Sequence, residues 1–219
     1  MRTTEAAAER VLKTPRTAAV AGILCALILA TVIVLVRQLP ADAVKGAAWL
    51  ASPSHRAALT AALELVPFAG VFFLWFMGTM RDYVGVAEDR FFAAIFLGSG
   101  LLFVAMLFVL ASVASGLAAT ADSAHAATEP QFWYFGQHLA LALVSVYITR
   151  MAAVFTLSTT TIGQRLGIFP RWLCWLGFLS GLFLLFAARS IPWSELVFPA
   201  WILAVSGHIL LVRLRRRPT

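Results

Sequence analysis

Long apolar runs alternate along the chain with short segments that hold most of its charges. A helix needs about 20 mostly apolar residues to cross the hydrocarbon core of a bilayer. Six runs meet or approach this length, and they cover residues 17–36, 57–80, 91–118, 132 to at least 149, 172–188 and 196–212. The pattern predicts an all-α polytopic membrane protein, a bundle of six transmembrane helices. The last two runs are short, so they either span fully or form a re-entrant pair.

Composition supports the membrane interpretation, since 61% of the 219 residues are hydrophobic and 12% are charged. A soluble domain carries roughly 45–50% apolar and about 25% charged residues. The low polar content disfavours a soluble enzyme, a disordered chain and a nucleic-acid-binding protein, although the net charge is +7. We therefore expect the lipid bilayer of a cell inner (plasma) membrane as the environment.

The distribution of basic residues predicts the orientation, because cytoplasmic segments of membrane proteins are enriched in Lys and Arg. If both termini are cytoplasmic, the inner segments hold 12 basic residues and the outer segments hold four. The chain then divides into a basic N-terminal segment, a transmembrane domain and an Arg-rich tail, over 1–16, 17–212 and 213–219. We expect the two basic termini to contact anionic lipid head groups.

Polar residues inside the predicted spans are candidates for function, because a bilayer makes them costly. Glu64 and His138 fall in one outer layer of helices two and four. They form either a proton or cation site or a hydrogen bond that holds the helices together. Pro67 frees the carbonyl of Leu63 beside Glu64, and transporters build substrate sites at interrupted helices.

Arg150 and Tyr147 lie near the predicted cytoplasmic end of helix four. We expect Arg150 to anchor the helix by extending its guanidinium to the head groups. The alternative is that this pair contacts a lipid phosphate or the carboxylate of a partner protein.

Small residues predict close approach of helices. Gly177 and Gly181 form a GxxxG pair in helix five, and Ala94 and Gly98 form a small-residue face in helix three. These faces pack within the bundle or, alternatively, against another protein.

Sequence motifs of enzymes are missing: the chain has no G-x-S-x-G, no H-E-x-x-H, no P-loop and no dinucleotide fingerprint. The four histidines lack metal-ligand spacing, and Cys25 and Cys174 are predicted at different depths. We expect a protein without enzymatic activity, without a metal and without a cofactor.

Two stretches resemble a group of uncharacterised actinobacterial multi-pass membrane proteins. They are FFLWFMGTMRDYVGVAEDRFFAAIFLGSGLLF at 72–103 and FPRWLCWLGFLSG at 169–181. The shared features are helix ends and packing patterns, and the group has no assigned activity. The resemblance implies a polytopic topology and an actinobacterial source, and it carries no catalytic residue over to this chain.

The scarcity of polar residues inside the spans favours a non-enzymatic accessory or structural subunit of a larger membrane transport or cell-envelope assembly. Its partner would be another membrane protein or a second copy of the chain. The alternative is a small proton-coupled transporter that uses Glu64 and His138 beside the Pro67 kink.

Overall fold

Residues 2–38, 45–46, 48–49, 52–84, 90–121, 130–187 and 191–215 are described by the computed structural model, and within them every regular element is helical. The α-helices are α1 (Arg2–Gln38), α2 (Pro53–Val84), α3 (Arg90–Ala121), α4 (Pro130–Ala142), α5 (Thr149–Arg165), α6 (Arg171–Phe186) and α7 (Val197–Arg215). A π-helical turn, Leu143–Ile148, joins α4 to α5, and a 3-10 turn, Ser194–Leu196, precedes α7. Residues 45, 46, 48 and 49 are also helical, between the first two spans.

Five candidate spans are long and apolar enough to cross a membrane: Ala19–Gln38, Pro53–Arg81, Phe91–Ala119, Gln131–Arg165 and Ser194–Val212. Helix α6 is apolar but has only 16 residues, which gives about 24 Å against a hydrocarbon core of about 30 Å. The helices agree with a membrane protein that has five or six spans. The count of six and the cytoplasmic side of both termini stay predictions.

The fourth span, predicted to run from 132 to at least 149, continues as far as Arg165. Its polar run after Leu157 remains helical, with each hydroxyl donating to a carbonyl three or four residues earlier. The donors are Ser158, Thr159, Thr160 and Thr161. The first three are buried in the bundle instead of facing head groups. Internal hydrogen bonding to the preceding turn lets these polar side chains occupy an interior position.

The helices form a closed ring. Around it, α1 packs on α2, α2 on α3, α3 on α4 and α5, α5 on α6, α6 on α7, and α7 on α1. Four aromatic rings from four helices meet in the middle: Phe73, Phe103, Phe155 and Phe198. The ring centroids of Phe73 and Phe155 are 4.9 Å apart, as are those of Phe73 and Phe103. This aromatic centre marks one level of the bundle.

Glycines set the closest helix contacts. Gly177 and Gly181 lie against α5, where an added Cβ would overlap Thr160 Oγ1 at Gly177 and approach Leu157 to 2.6 Å at Gly181. Ala94 instead is exposed on α3, and a Cβ on Gly98 would meet nothing within 4 Å. The small-residue pair of α6 therefore packs inside the bundle, while the pair in α3 lies on its perimeter.

Candidate functional site

Glu64 lies on the outward face of α2. Phe73 is fully buried in the aromatic centre, and nine residues correspond to half a turn of the helical wheel. The Glu64 side chain is accordingly exposed, as is that of Pro67. Glu64 lines an open surface groove with Arg56 and Thr60, and it makes no hydrogen bond or ion pair within the described part of the chain.

His138 is also exposed, on α4, and no hydrogen bond joins it to Glu64 among the described residues. The structure therefore does not bring the two predicted site residues together. The polar side chain that α4 directs inward is Gln137, only 4% exposed, whose Oε1 has no hydrogen-bond partner in this part of the chain. Its position four residues after the buried Trp133 was the sequence signal for an inward face.

Arg150 lies deep in its span, because the helix continues for 15 residues beyond it to Arg165. That length corresponds to about 22 Å along the axis, too far for a side chain to reach the Arg-rich end of the bundle. Arg150 is exposed, and Tyr147, three residues earlier, is 56% exposed. Arg150 was expected near the end of helix four, whereas the helix continues well past it to Arg165.

A buried ion pair joins the end of α1 to the beginning of the last span. Arg37 Nη2 donates a hydrogen bond to Glu195 Oε1, and the two side chains are 25% and 3% exposed. Trp193 has a positive φ of 67°, and after this turn Ser194 and Glu195 are both buried. Sequence reasoning placed Glu195 in an outer loop and so missed this pair. The available signal was the opposite charge of Arg37, at the end of the first predicted run, and Glu195, just before the sixth.

Glu195 also lines a small cavity in the middle of the bundle. Its other walls are apolar apart from Thr149, and they come from α1, α3, α5, α6, α7 and the π-helical turn. The cavity has a volume of about 20 Å³, which is enough for one water molecule. Glu195 Oε2 and Arg37 Nε have no hydrogen-bond partner among the described residues. Because Glu195 lines the cavity, a water there can donate a hydrogen bond to Oε2.

The π-helical turn shapes one wall of this cavity. Thr149 Oγ1 donates to the carbonyl of Val144, five residues earlier, at 2.6 Å. Such turns are frequent at functional sites because they redirect side chains within a helix. The buried Glu195 carboxylate, the Thr149 hydroxyl and room for one water thus come together in this part of the described structure.

Within the described residues, no three His, Cys, Asp or Glu side chains gather as a metal site would require. Cys25 and Cys174 are both buried and both free thiols. Comparison with known protein families, curated proteins and solved structures finds no match to this chain. The resemblance to actinobacterial membrane proteins stays a sequence-based prediction.

Proposed function

We propose that the chain is a non-enzymatic integral membrane protein that serves as an accessory or structural subunit of a larger membrane transport or cell-envelope assembly. The observation that carries the proposal is the exposed side chain of Arg150, deep in a candidate span. An arginine at the centre of a spanning helix costs about 2.5–3.5 kcal/mol on insertion scales, and such residues normally face protein or water. A partner that covers α5 at Arg150 removes this cost.

Further exposed residues on the perimeter support an assembly role. Tyr147 lies one turn from Arg150, Glu64 is exposed on α2, and Ala94 and Gly98 leave α3 open to close approach. Small residues and polar groups are the two features that drive association of helices in lipid. This perimeter therefore has the chemistry of a protein contact as well as that of a lipid contact.

We place the subunit in the plasma membrane with both termini in the cytoplasm, because the predicted inner segments hold 12 basic residues against four outside. Reporter enzymes fused after Thr219 test this orientation. A reporter active only outside the cytoplasm should remain silent, and a cytoplasmic reporter should be active. The reverse pattern would show that one span has been miscounted.

The assembly itself is tested by tagging the chain at its native locus and identifying what co-purifies in mild detergent. We expect a membrane polypeptide in stoichiometric amount, and Arg150→Leu should reduce its recovery. His138→Leu is the matched control, since it also removes an exposed polar side chain from the same long helix. Recovery of the chain alone, both in detergent and after crosslinking in intact membranes, would contradict the proposal.

A small proton-coupled carrier is the second candidate, and the observation that favours it is the buried Glu195 beside the cavity. Glu64 and His138, the residues first expected to serve a carrier, are exposed and apart. Proteoliposomes with a trapped pH-sensitive dye measure proton entry directly. A carrier that works through Glu195 loses this flux in Glu195→Gln and keeps it in Glu64→Gln, whereas no flux in the unaltered protein would exclude proton conduction under these conditions.

A further inference from the structure

We infer that the partner is a second copy of this chain, and that Arg150 of one copy pairs with Glu64 of the other. The inference rests on the proposed function, because it takes as given that protein covers Arg150. It adds the identity of the partner and the residue on the partner that meets the guanidinium.

Charge complementarity singles out Glu64. The candidate spans contain two carboxylates, Glu64 and Glu195. Glu195 is buried and already paired with Arg37, whereas Glu64 is exposed and has no hydrogen bond or ion pair within the described residues. Within the candidate spans, Glu64 is thus the exposed acid and Arg150 the exposed base deep in a span, and neither has an ion pair among the described residues.

The two groups lie at similar depth. Phe73 of α2 and Phe155 of α5 touch in the aromatic centre, with centroids 4.9 Å apart. The spans that contain α2, α3 and α5 follow one another along the chain. Because consecutive spans run in opposite directions, α2 and α5 run in the same direction. Glu64 precedes Phe73 by nine residues and Arg150 precedes Phe155 by five, so the difference is four residues, or about 6 Å along the axes. A long arginine side chain spans such an offset.

Pairing within one chain is blocked by the same geometry. Glu64 is half a turn from Phe73 on the wheel and Arg150 is well over a third of a turn from Phe155, so both point away from the centre. Helix α3 separates their helices in the ring. Pairing between copies has no such obstacle, because rotation about an axis along the membrane normal keeps every residue at its depth. Groups that match in depth within one chain then match between chains.

An interface of this kind removes two exposed charges from lipid at once. Each charge alone in the hydrocarbon region is costly, whereas a hydrogen-bonded carboxylate and guanidinium form a strong, oriented pair.

Charge reversal tests the pairing. Two differently tagged full-length copies are expressed at low level in one cell, and recovery of the second tag with the first is measured after mild solubilisation. Glu64→Arg and Arg150→Glu alone should each lower recovery about tenfold, the size expected for one interhelical polar contact. The double variant, with both changes in every copy, should restore it. Arg81→Glu, an exposed arginine at the inner end of α2, is the control that should leave recovery unchanged.

Neutral variants provide a second test in case the charge-reversed variants fail to fold. Glu64→Gln and Arg150→Gln keep side-chain size without introducing a wrong charge, and each should still reduce recovery several-fold. Self-association that is unaffected by all four substitutions would overturn the Glu64–Arg150 pair. A chain that never recovers its own second tag, yet captures another membrane protein from the native locus, would overturn this inference and leave the proposed function intact. A chain that captures neither would overturn both.

Discussion

Charged residues at the centre of the bundle form an ion pair within the chain, whereas Glu64 and Arg150 on its perimeter do not. At the centre, Glu195 is 3% exposed and hydrogen-bonds Arg37 across two helices. On the perimeter, Glu64 and Arg150 are exposed and make no ion pair in the described part of the chain. All four residues lie in candidate spans. Among the four, the buried pair is neutralised within the chain, whereas Glu64 and Arg150 are the ones we propose to contact another molecule.

The two arrangements predict different responses to mutation. A charge in the interior pair is held by its neighbour in the same chain, so its loss acts on folding. A charge on the perimeter has no counterpart in the fold, so its loss acts on association. Measuring stability and association for the same set of variants separates effects on folding from effects on association.

Arg37→Ala should produce the largest loss of stability. It leaves Glu195 buried without its counter-ion, and breaking a buried pair in this way costs about 3–5 kcal/mol. Unfolding in a mixed detergent titration measures the change. The double variant Arg37→Leu with Glu195→Leu should recover most of the loss, because it leaves no unpaired charge. Equal stability of Arg37→Ala and the unaltered protein would show that the pair does not form.

Gly177→Leu should follow, with a loss of about 1–3 kcal/mol, the usual cost of overpacking a close contact. The new side chain would meet Thr160 and push α6 away from α5. Gly98→Leu is the matched control, since the position is open in the single chain and should show little effect on unfolding. A similar loss at both positions would mean that the perimeter and the interior are not packed differently.

The fold was largely predictable from the sequence, because long apolar runs leave few alternatives to helices in a bilayer. Five of the six runs lie within helices, and the fifth, 172–188, is helical as far as Phe186. The fourth run was predicted to reach at least residue 149, and Ser158 to Thr161 do continue the helix with their hydroxyls bonded to the preceding turn; the burial of Ser158, Thr159 and Thr160 in the bundle was not predictable from their polarity. Arg150 was expected near a boundary because it lies 18 residues past Phe132, whereas the helix continues for 15 residues beyond it.

The interior site was less predictable. Whether a polar residue faces inward depends on its angular position, and one residue of difference separates the exposed His138 from the buried Gln137. Glu195 was assigned to a loop because it falls between the uncharged runs 172–188 and 196–212. Only the three-dimensional turn at Trp193 brings that carboxylate to Arg37. Long-range pairing of this kind leaves no local pattern.

Thr149→Val tests the wall of the cavity, with an expected loss of about 1 kcal/mol. The substitution preserves the shape of the side chain and removes the hydrogen bond to Val144 O, whose net value is typically about 0.5–1.5 kcal/mol. Thr31→Val, which removes an exposed bond to Leu27 O in α1, should cost less. An equal loss at the two positions would indicate that burial beside the cavity adds nothing to the bond.

Glu64→Gln should have the smallest effect on folding and is the sharpest contrast with the interior. Exposed side chains without partners change the free energy of unfolding by less than about 0.5 kcal/mol, whereas Glu195→Gln removes the charge that holds Arg37 and should cost clearly more. Detergent unfolding of the two variants side by side gives the comparison, and recovery of a second tagged copy gives the association. We expect Glu64→Gln to lower association with stability unchanged, and Glu195→Gln to do the reverse. A loss of stability at Glu64 as large as that at Glu195 would remove the distinction between the two regions, because it would place Glu64 among the contacts that hold the single chain together.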